Sequence, residues 1–226
     1  MFAGIAHRYD FLNHFLSAST DRYWRMVAVN KVNDQVGSPV SPLCLDACSG
    51  TGDLAIALHR RLQTRIIAAD FCHPMLTRSN VKVTAAGAGH SIQNVEADAL
   101  ALPFAGAIFD AVTIALGLRN LEDPLQGLKE IFRVLKPGGA AVILEFSKPV
   151  VPVLRQVFQA YFRYILPKIG AAISGNRGAY RYLPDSVRKF PEQSELAELL
   201  SAVGFHDVAY RNLTGGIAAL HWGRKG

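Results

Sequence analysis

The chain has 226 residues, half of them apolar, with a positive mean hydropathy and a formal net charge of +6. That is enough for one large core, and no Ser/Gly/Pro-rich linker divides it, so a single domain over 1–226 is expected. The absence of an uncharged apolar run of 18 or more residues argues against a transmembrane helix, and Met1–Arg8 lacks the apolar stretch of a secretory leader, which points to a cytoplasmic protein.

Residues 2–34, in an N-terminal segment taken as 1–40, carry apolar side chains at helical spacing, Tyr9, Phe15, Trp24, Met26 and Val27 among them. Asp21 is the candidate cap of the second helix, and Gly37–Pro42 is a loop. Leu43–Leu45 read as the end of a buried strand, Gly50-Thr51-Gly52 as a turn without room for side chains, and Leu54–Leu62 as a helix. Such a strand, glycine turn and helix N-terminus form a nucleotide cradle, because backbone N–H groups converge there. Gly50, Gly52 and Ala55 also fit the dinucleotide pattern, with Asp70 about where a ribose acid belongs.

Asp46, just ahead of the turn, separates the two ligands. A carboxylate there, with Asp53 just after, repels a pyrophosphate and attracts a ligand carrying an ammonium and a sulfonium. S-adenosylmethionine is therefore preferred to a dinucleotide. Cys44 and Cys48 flank this acid and Cys72 follows. The three thiols have no C-x-x-C spacing, so neither a disulfide nor a metal site is expected.

Further along, Arg65–Ala69 is a short strand ending in Asp70, and a helix opens near Pro74. A third strand covers Ile92–Ala97 and ends at Asp98, and a fourth covers Phe109–Ala115. Pro124–Leu135 is a helix, Lys136-Pro-Gly-Gly139 a turn and Ala140–Glu145 a fifth strand. Strands alternating with helices imply a parallel sheet covered on both faces, with ligands at the carboxyl ends of its strands. Asp46, Asp70, Asp98 and the Ala115–Gly117 region all fall there. Asp70 can accept both ribose hydroxyls. Asp98 can accept from the adenine amine while the Ala99 N–H meets the ring. Gly50 and Gly52 let the backbone approach and Thr51 can hydrogen-bond the ligand. Each Asp singly also fits a helix N-cap, but three at successive strand ends favour one site.

The pattern then changes. A helical apolar stripe begins at Val150, and Pro167, Gly170, Gly175 and Gly178 loosen the chain before Tyr180. Residues 148–191 therefore read as a helical insertion, either an extra packed helix or a lid resting on a membrane surface. Eight basic residues stand against the single acid Asp185 between Lys148 and Lys189. Residues 193–203 give another helix, and Val208–Leu213 with Ile217–Trp222 a closing hairpin across Gly215-Gly216. The expected fold is α/β: a seven-stranded, mostly parallel sheet with an antiparallel C-terminal hairpin and helices on both faces.

Three separated motifs are similar to the ubiquinone/menaquinone biosynthesis C-methyltransferase family: Tyr9-Asp-Phe-Leu-Asn13, the run from Arg133-Val-Leu-Lys-Pro-Gly-Gly to Glu145-Phe-Ser147, and Tyr180-Arg-Tyr-Leu-Pro-Asp-Ser-Val187. Gly117-Leu-Arg-Asn120 and Asn212-Leu-Thr-Gly-Gly resemble it too, so the similarity runs from about residue 2 to the C-terminus. The resemblance implies a Rossmann-like class I methyltransferase that uses S-adenosylmethionine to methylate a ring carbon of a polyprenylated quinol. It implies cofactor contacts at Thr51, Asp70, Asp98, Ala99 and the position of Ala115, where the family often has Ser. Demethylmenaquinol is the first choice of substrate, and a benzoquinol precursor of ubiquinone remains open.

Carbon methylation needs a quinol hydroxyl deprotonated and water excluded. Arg119 and Asn120 are the candidates at the mouth. Arg119, always protonated, would stabilise the quinolate while a water or Tyr9 relays the proton. Arg119 could instead pair at the surface with Glu122 or Asp123. His7, His73 and His221 sit in no motif that points to the site. A nucleic-acid partner is disfavoured, because Ala115-Leu-Gly-Leu-Arg-Asn120 is not the Asn/Asp-Pro-Pro-Tyr type and no basic aromatic repeat occurs. A non-catalytic binder of the cofactor is the other rival. Membrane contact through 148–191 at the inner face of the cell membrane and a homodimer are both compatible with the sequence.

Overall fold

The computed structural model describes residues 19–37, 41–160 and 185–226. Helix α1 (Thr20–Val36) leads to β1 (Leu43–Ala47), and strands and helices then alternate. They are α2 (Asp53–Leu62), β2 (Arg65–Asp70), α3 (His73–Ala85), β3 (Ile92–Glu96), β4 (Phe109–Ala115), α4 (Pro124–Val134) and β5 (Leu135–Phe146). After α5 (Pro152–Ala160) come α6 (Gln193–Val203), β6 (Phe205–Leu213) and β7 (Ala218–Lys225). The seven strands form one sheet in the order β3-β2-β1-β4-β5-β7-β6, with β1 to β5 parallel and β7 antiparallel to both neighbours.

The central strands are apolar on both sides, as a covered parallel sheet requires. Alternate residues of β5 serve the two cores: Val142 and Leu144 belong to the one that holds residues of α1, α2 and α3, Ala141 and Ile143 to the one that holds residues of α4 and α6. Strand β1 pairs with β2 on one side and β4 on the other, so the chain reverses its winding there. A crevice opens at such a reversal, beyond the carboxyl ends of the strands.

Three sequence expectations change. Lys136–Gly139 is not a free turn: Phe109 pairs with Leu135 and Ala111 with Ala140, so the extra residues bulge within β5. Gly138 takes φ +77 there, and Lys136 Nζ reaches both Asp110 oxygens at 2.8 and 2.9 Å. Asp21 is no cap. It lies buried in the first turn of α1 and pairs with Arg25, one turn on, at 2.7 Å. Met26 is 53% exposed, so the buried stripe of α1 is narrower than expected: Trp24, Ala28, Val29 and Val32. The predicted helix over 193–203 is α6, opened by a capping box in which Glu195 accepts the Glu192 N–H at 2.7 Å. Expectations on residues 1–18, Tyr9 included, and on residues 161–184 lie outside the described residues. Among those described, no helix is long and apolar enough to cross a membrane.

Candidate functional site

The end of β1 sets the site. Asp46 stands opposite Thr113 of β4 and is fully buried; the Thr113 hydroxyl donates to its Oδ1 at 2.9 Å, while Oδ2 is buried with no partner. Burial pushes its pKa up to about 7 and Asp70 adds to the rise, while the Thr113 hydroxyl, Arg25 and the Ala55 N–H oppose it. Beyond β1 the chain turns sharply through Cys48 (φ +53) and Gly50 (φ +56) to Gly52 (φ +83). The Ser49 Oγ is buried there and unpartnered. At Gly52 a side chain would run into the Ser79 hydroxyl of α3, so glycine is required by both its φ and its neighbour.

Asp70, at the end of β2, staples two turns together. Its Oδ2 accepts the Gly50 N–H and its Oδ1 the Cys72 N–H, both at 2.8 Å. Burial still raises its pKa, so the two donors only partly offset the loss of water. Asp98 follows β3, exposed, its Oδ1 accepting the Leu100 N–H at 2.9 Å. The exit of β4 supplies Ala115, then Leu116 at φ +57, a left-handed conformation rarely adopted by a leucine. At Gly117 a side chain would meet Cys48, so the turns after β1 and β4 touch.

These groups enclose a cavity of about 360 Å³, lined among others by Asp70, Phe71, Asp98, Ala99, Leu116 and Asn120. It continues into a small recess lined by Asp46, Ser49 and Thr51, with Cys48, Gly50, Ala115 and Leu116 common to both. Eight expected site residues are thus gathered on one hollow: Asp46, Gly50, Thr51, Asp70, Asp98, Ala99, Ala115 and Asn120. Gly52 lines neither part and serves the turn. Thr51 accepts from Lys82 Nζ at 3.1 Å, and Lys82 also pairs with Asp53, so α3 braces the cradle. The Cys48 thiol is pushed up by burial and then by Asp70 and Asp46, which keeps it protonated.

Arg119 stands behind the wall of the hollow rather than in it. Its side chain is 8% exposed and paired with neither Glu122 nor Asp123; its Nη1 reaches Glu145 Oε1 at 2.5 Å and the Leu116 carbonyl at 2.6 Å. Asp123 instead caps α4, accepting from the Gln126 N–H at 3.0 Å. Of the histidines, His73 pairs with Glu96 at the surface, and His221 is buried on β7, its Nε2 2.8 Å from the Gln193 carbonyl; neither lines the hollow. Sequence reasoning missed Glu145 and Ser49, and placed Leu116 within the Ala115–Gly117 region without its left-handed conformation. Glu145 was within reach, because it ends β5 as Asp46, Asp70 and Asp98 mark the ends of β1, β2 and β3.

The residues fit a cationic nucleoside. A pyrophosphate would meet the carboxylates of Asp46 and Asp70, whereas an ammonium can satisfy the unpartnered Asp46 and Ser49 oxygens. The adenosine acceptors, Asp70 and Asp98, face the larger cavity.

Comparison with known proteins covers the whole chain. Residues 1–225 match the model of the ubiE/COQ5 methyltransferase family. A demethylmenaquinone methyltransferase of Deinococcus radiodurans is 48% identical, over 100% of this chain and 91% of its own length. The ubiquinone/menaquinone biosynthesis C-methyltransferase UbiE of Geobacter sulfurreducens is 45% identical, over 100% of this chain and 87% of its own. A SAM-dependent methyltransferase from Aquifex aeolicus superposes with a TM-score of 0.62 at 18% identity, covering 86% of this chain and 88% of that one, which speaks to the fold alone.

Proposed function

The chain belongs to the ubiE/COQ5 methyltransferase family, and from that premise we propose that it transfers the methyl group of S-adenosylmethionine to a ring carbon of a polyprenylated quinol, demethylmenaquinol first. The observation that carries this reading is the pair of buried, unpartnered oxygens, Asp46 Oδ2 and Ser49 Oγ, opening on a hollow edged by Asp70 and Asp98.

When bound, the cofactor supplies an electrophilic methyl group. The chain supplies the rest. Asp46 and Ser49 take the ammonium, Asp70 the ribose hydroxyls, and Asp98 with the Ala99 N–H the adenine edge. Asn120, on the cavity wall beside Leu121, orients the ring. The apolar part of the wall, with Phe71, Met75 and Leu116, keeps water from the carbon that must carry negative charge. The quinol hydroxyl passes its proton to solvent through a water or Tyr9; the ring carbon would gain the methyl as the methyl–sulfur bond breaks, leaving S-adenosylhomocysteine, and then lose its own proton. Arg119 does not face the ring, because Glu145 and the Leu116 carbonyl hold its Nη1 behind the wall. Exposed Val150, Val151 and Val153 near Lys148 and Arg155 support the further reading that the segment from 148 onward rests on a membrane surface, where a polyprenyl tail lies.

The test is incubation with labelled cofactor and either demethylmenaquinol or a benzoquinol precursor in lipid vesicles, with and without a reductant. Label should pass to at least one quinol and only under reducing conditions, since the quinone is a poor nucleophile. Transfer to neither would overturn the reading.

A further inference from the structure

Behind the hollow lies an arrangement that the binding of cofactor or quinol does not itself require. Glu145, the last buried residue of β5 before Phe146, is 1% exposed and its two oxygens accept three bonds. The Phe146 N–H donates to Oε1 at 2.8 Å, Arg119 Nη1 to the same oxygen at 2.5 Å, and the Arg119 N–H to Oε2 at 3.2 Å. The same Nη1 holds the Leu116 carbonyl at 2.6 Å, and the Asn120 side-chain amide reaches that carbonyl at 3.3 Å. The Phe146 ring lies 5.0 Å from the guanidinium carbon. Leu116 itself is held at φ +57, its N–H on the Leu144 carbonyl at 2.7 Å.

A leucine leaves the left-handed region unless its surroundings hold it there. Leu116 is common to the large cavity and the small recess, so its backbone shapes both. Neither Glu145 nor Arg119 lines either part. We infer that Glu145 is a positioning residue: through Arg119 it clamps the Leu116 carbonyl and so holds the wall shared by the larger cavity and the small recess. This rests on the proposed function only in taking the hollow to be the cofactor site.

A buried ion pair could instead be present only to satisfy its own charges, and removing one partner alone would then destabilise without informing. The test therefore uses Glu145→Gln, Glu145→Asp and the doubly neutral Arg119→Met/Glu145→Gln, which leaves no orphaned charge. Two readouts are taken on the full chain: thermal melting, and the Kd of S-adenosylhomocysteine by calorimetry, which needs no substrate. Glu145→Gln should weaken S-adenosylhomocysteine about 10-fold and lower kcat about 10- to 100-fold, the scale of a small misplacement, with Glu145→Asp recovering part. The double variant should melt close to the parent yet remain about 10-fold weak. If it melts like the parent and binds within twofold of it, the pair only fills the core and the inference fails. Failure of the functional reading would look different, since the parent would bind S-adenosylhomocysteine normally and methylate neither quinol.

Discussion

Asp46 is asked to be charged when the cofactor is present and is burdened by charge when it is absent. In the unfolded chain it titrates near 3.8, in the folded protein near 7. The folded form therefore binds the proton more tightly. This group's contribution to stability is greatest below pH 3.8, falls as the pH rises from about 4 to about 7, and stays at its minimum above. A cation beside Oδ2 reverses the preference. Affinity for S-adenosylmethionine should climb as the pH rises from 5.5 through 7 and then level, with up to about one proton released per ligand below pH 7. Calorimetry in two buffers of different ionisation enthalpy measures that proton directly, and a pH-independent affinity would contradict the assignment. Asp46→Asn keeps an oxygen for the Thr113 hydroxyl but carries no charge. At pH 8 it should melt about 2–6 °C higher without ligand and bind the cofactor about 10- to 100-fold more weakly.

Between elements, the cradle depends on how closely α3 approaches the glycine turn. Gly52 sits at φ +83 against Ser79, whose hydroxyl donates to Asn94 of β3 at 2.9 Å. Gly52→Ala meets two obstacles, the left-handed φ and the collision, and should cost about 1–3 kcal/mol by urea unfolding. Gly52→Ala/Ser79→Gly should recover the collision and not the φ, leaving a residue of about 1 kcal/mol. At this scale the sequence was informative wherever local chemistry decides. The glycine turn, the strand ends at Asp46 and Asp70, Asp98 just beyond β3, and the helix over 193–203 could all be read from spacing. Leu116 could not, because nothing in Ala115-Leu-Gly-Leu-Arg-Asn120 announces a left-handed leucine. Its N–H is held by the Leu144 carbonyl and its own carbonyl by Arg119, which pairs with Glu145, and Leu144 and Glu145 lie about 30 residues further along the chain. For the same reason Arg119 read as a mouth residue while its real partner lay on β5. The bulge at Lys136–Gly139 was hidden too, since Pro-Gly-Gly looks the same whether it closes a turn or interrupts a strand.

For the whole molecule, the element order allowed a wound sheet but not the order β3-β2-β1-β4-β5-β7-β6, which depends on contacts between distant parts of the chain. One such contact ties its two ends together. Trp24 of α1 is 1% exposed, stacks edge-on against Phe146 at 5.7 Å, and donates its indole N–H to the Thr214 hydroxyl between β6 and β7 at 2.8 Å. Phe146 in turn faces Arg119, so α1 is coupled through one ring to the back of the site. Trp24→Phe retains most of the packing and loses the hydrogen bond, which should cost about 1 kcal/mol. Trp24→Ala leaves a cavity beneath the sheet and should cost about 3–5 kcal/mol. If α1 belongs to one cooperative unit with the sheet, the urea midpoint falls while the slope of the transition is unchanged. A ligand that binds only the folded form then restores the loss by mass action: at 100 times its Kd, S-adenosylhomocysteine should return about 2.7 kcal/mol. Trp24→Ala would therefore melt well below the parent alone and recover much of the difference with ligand. Were α1 an independent appendage, the variant would instead show an earlier, separate transition that the ligand does not move.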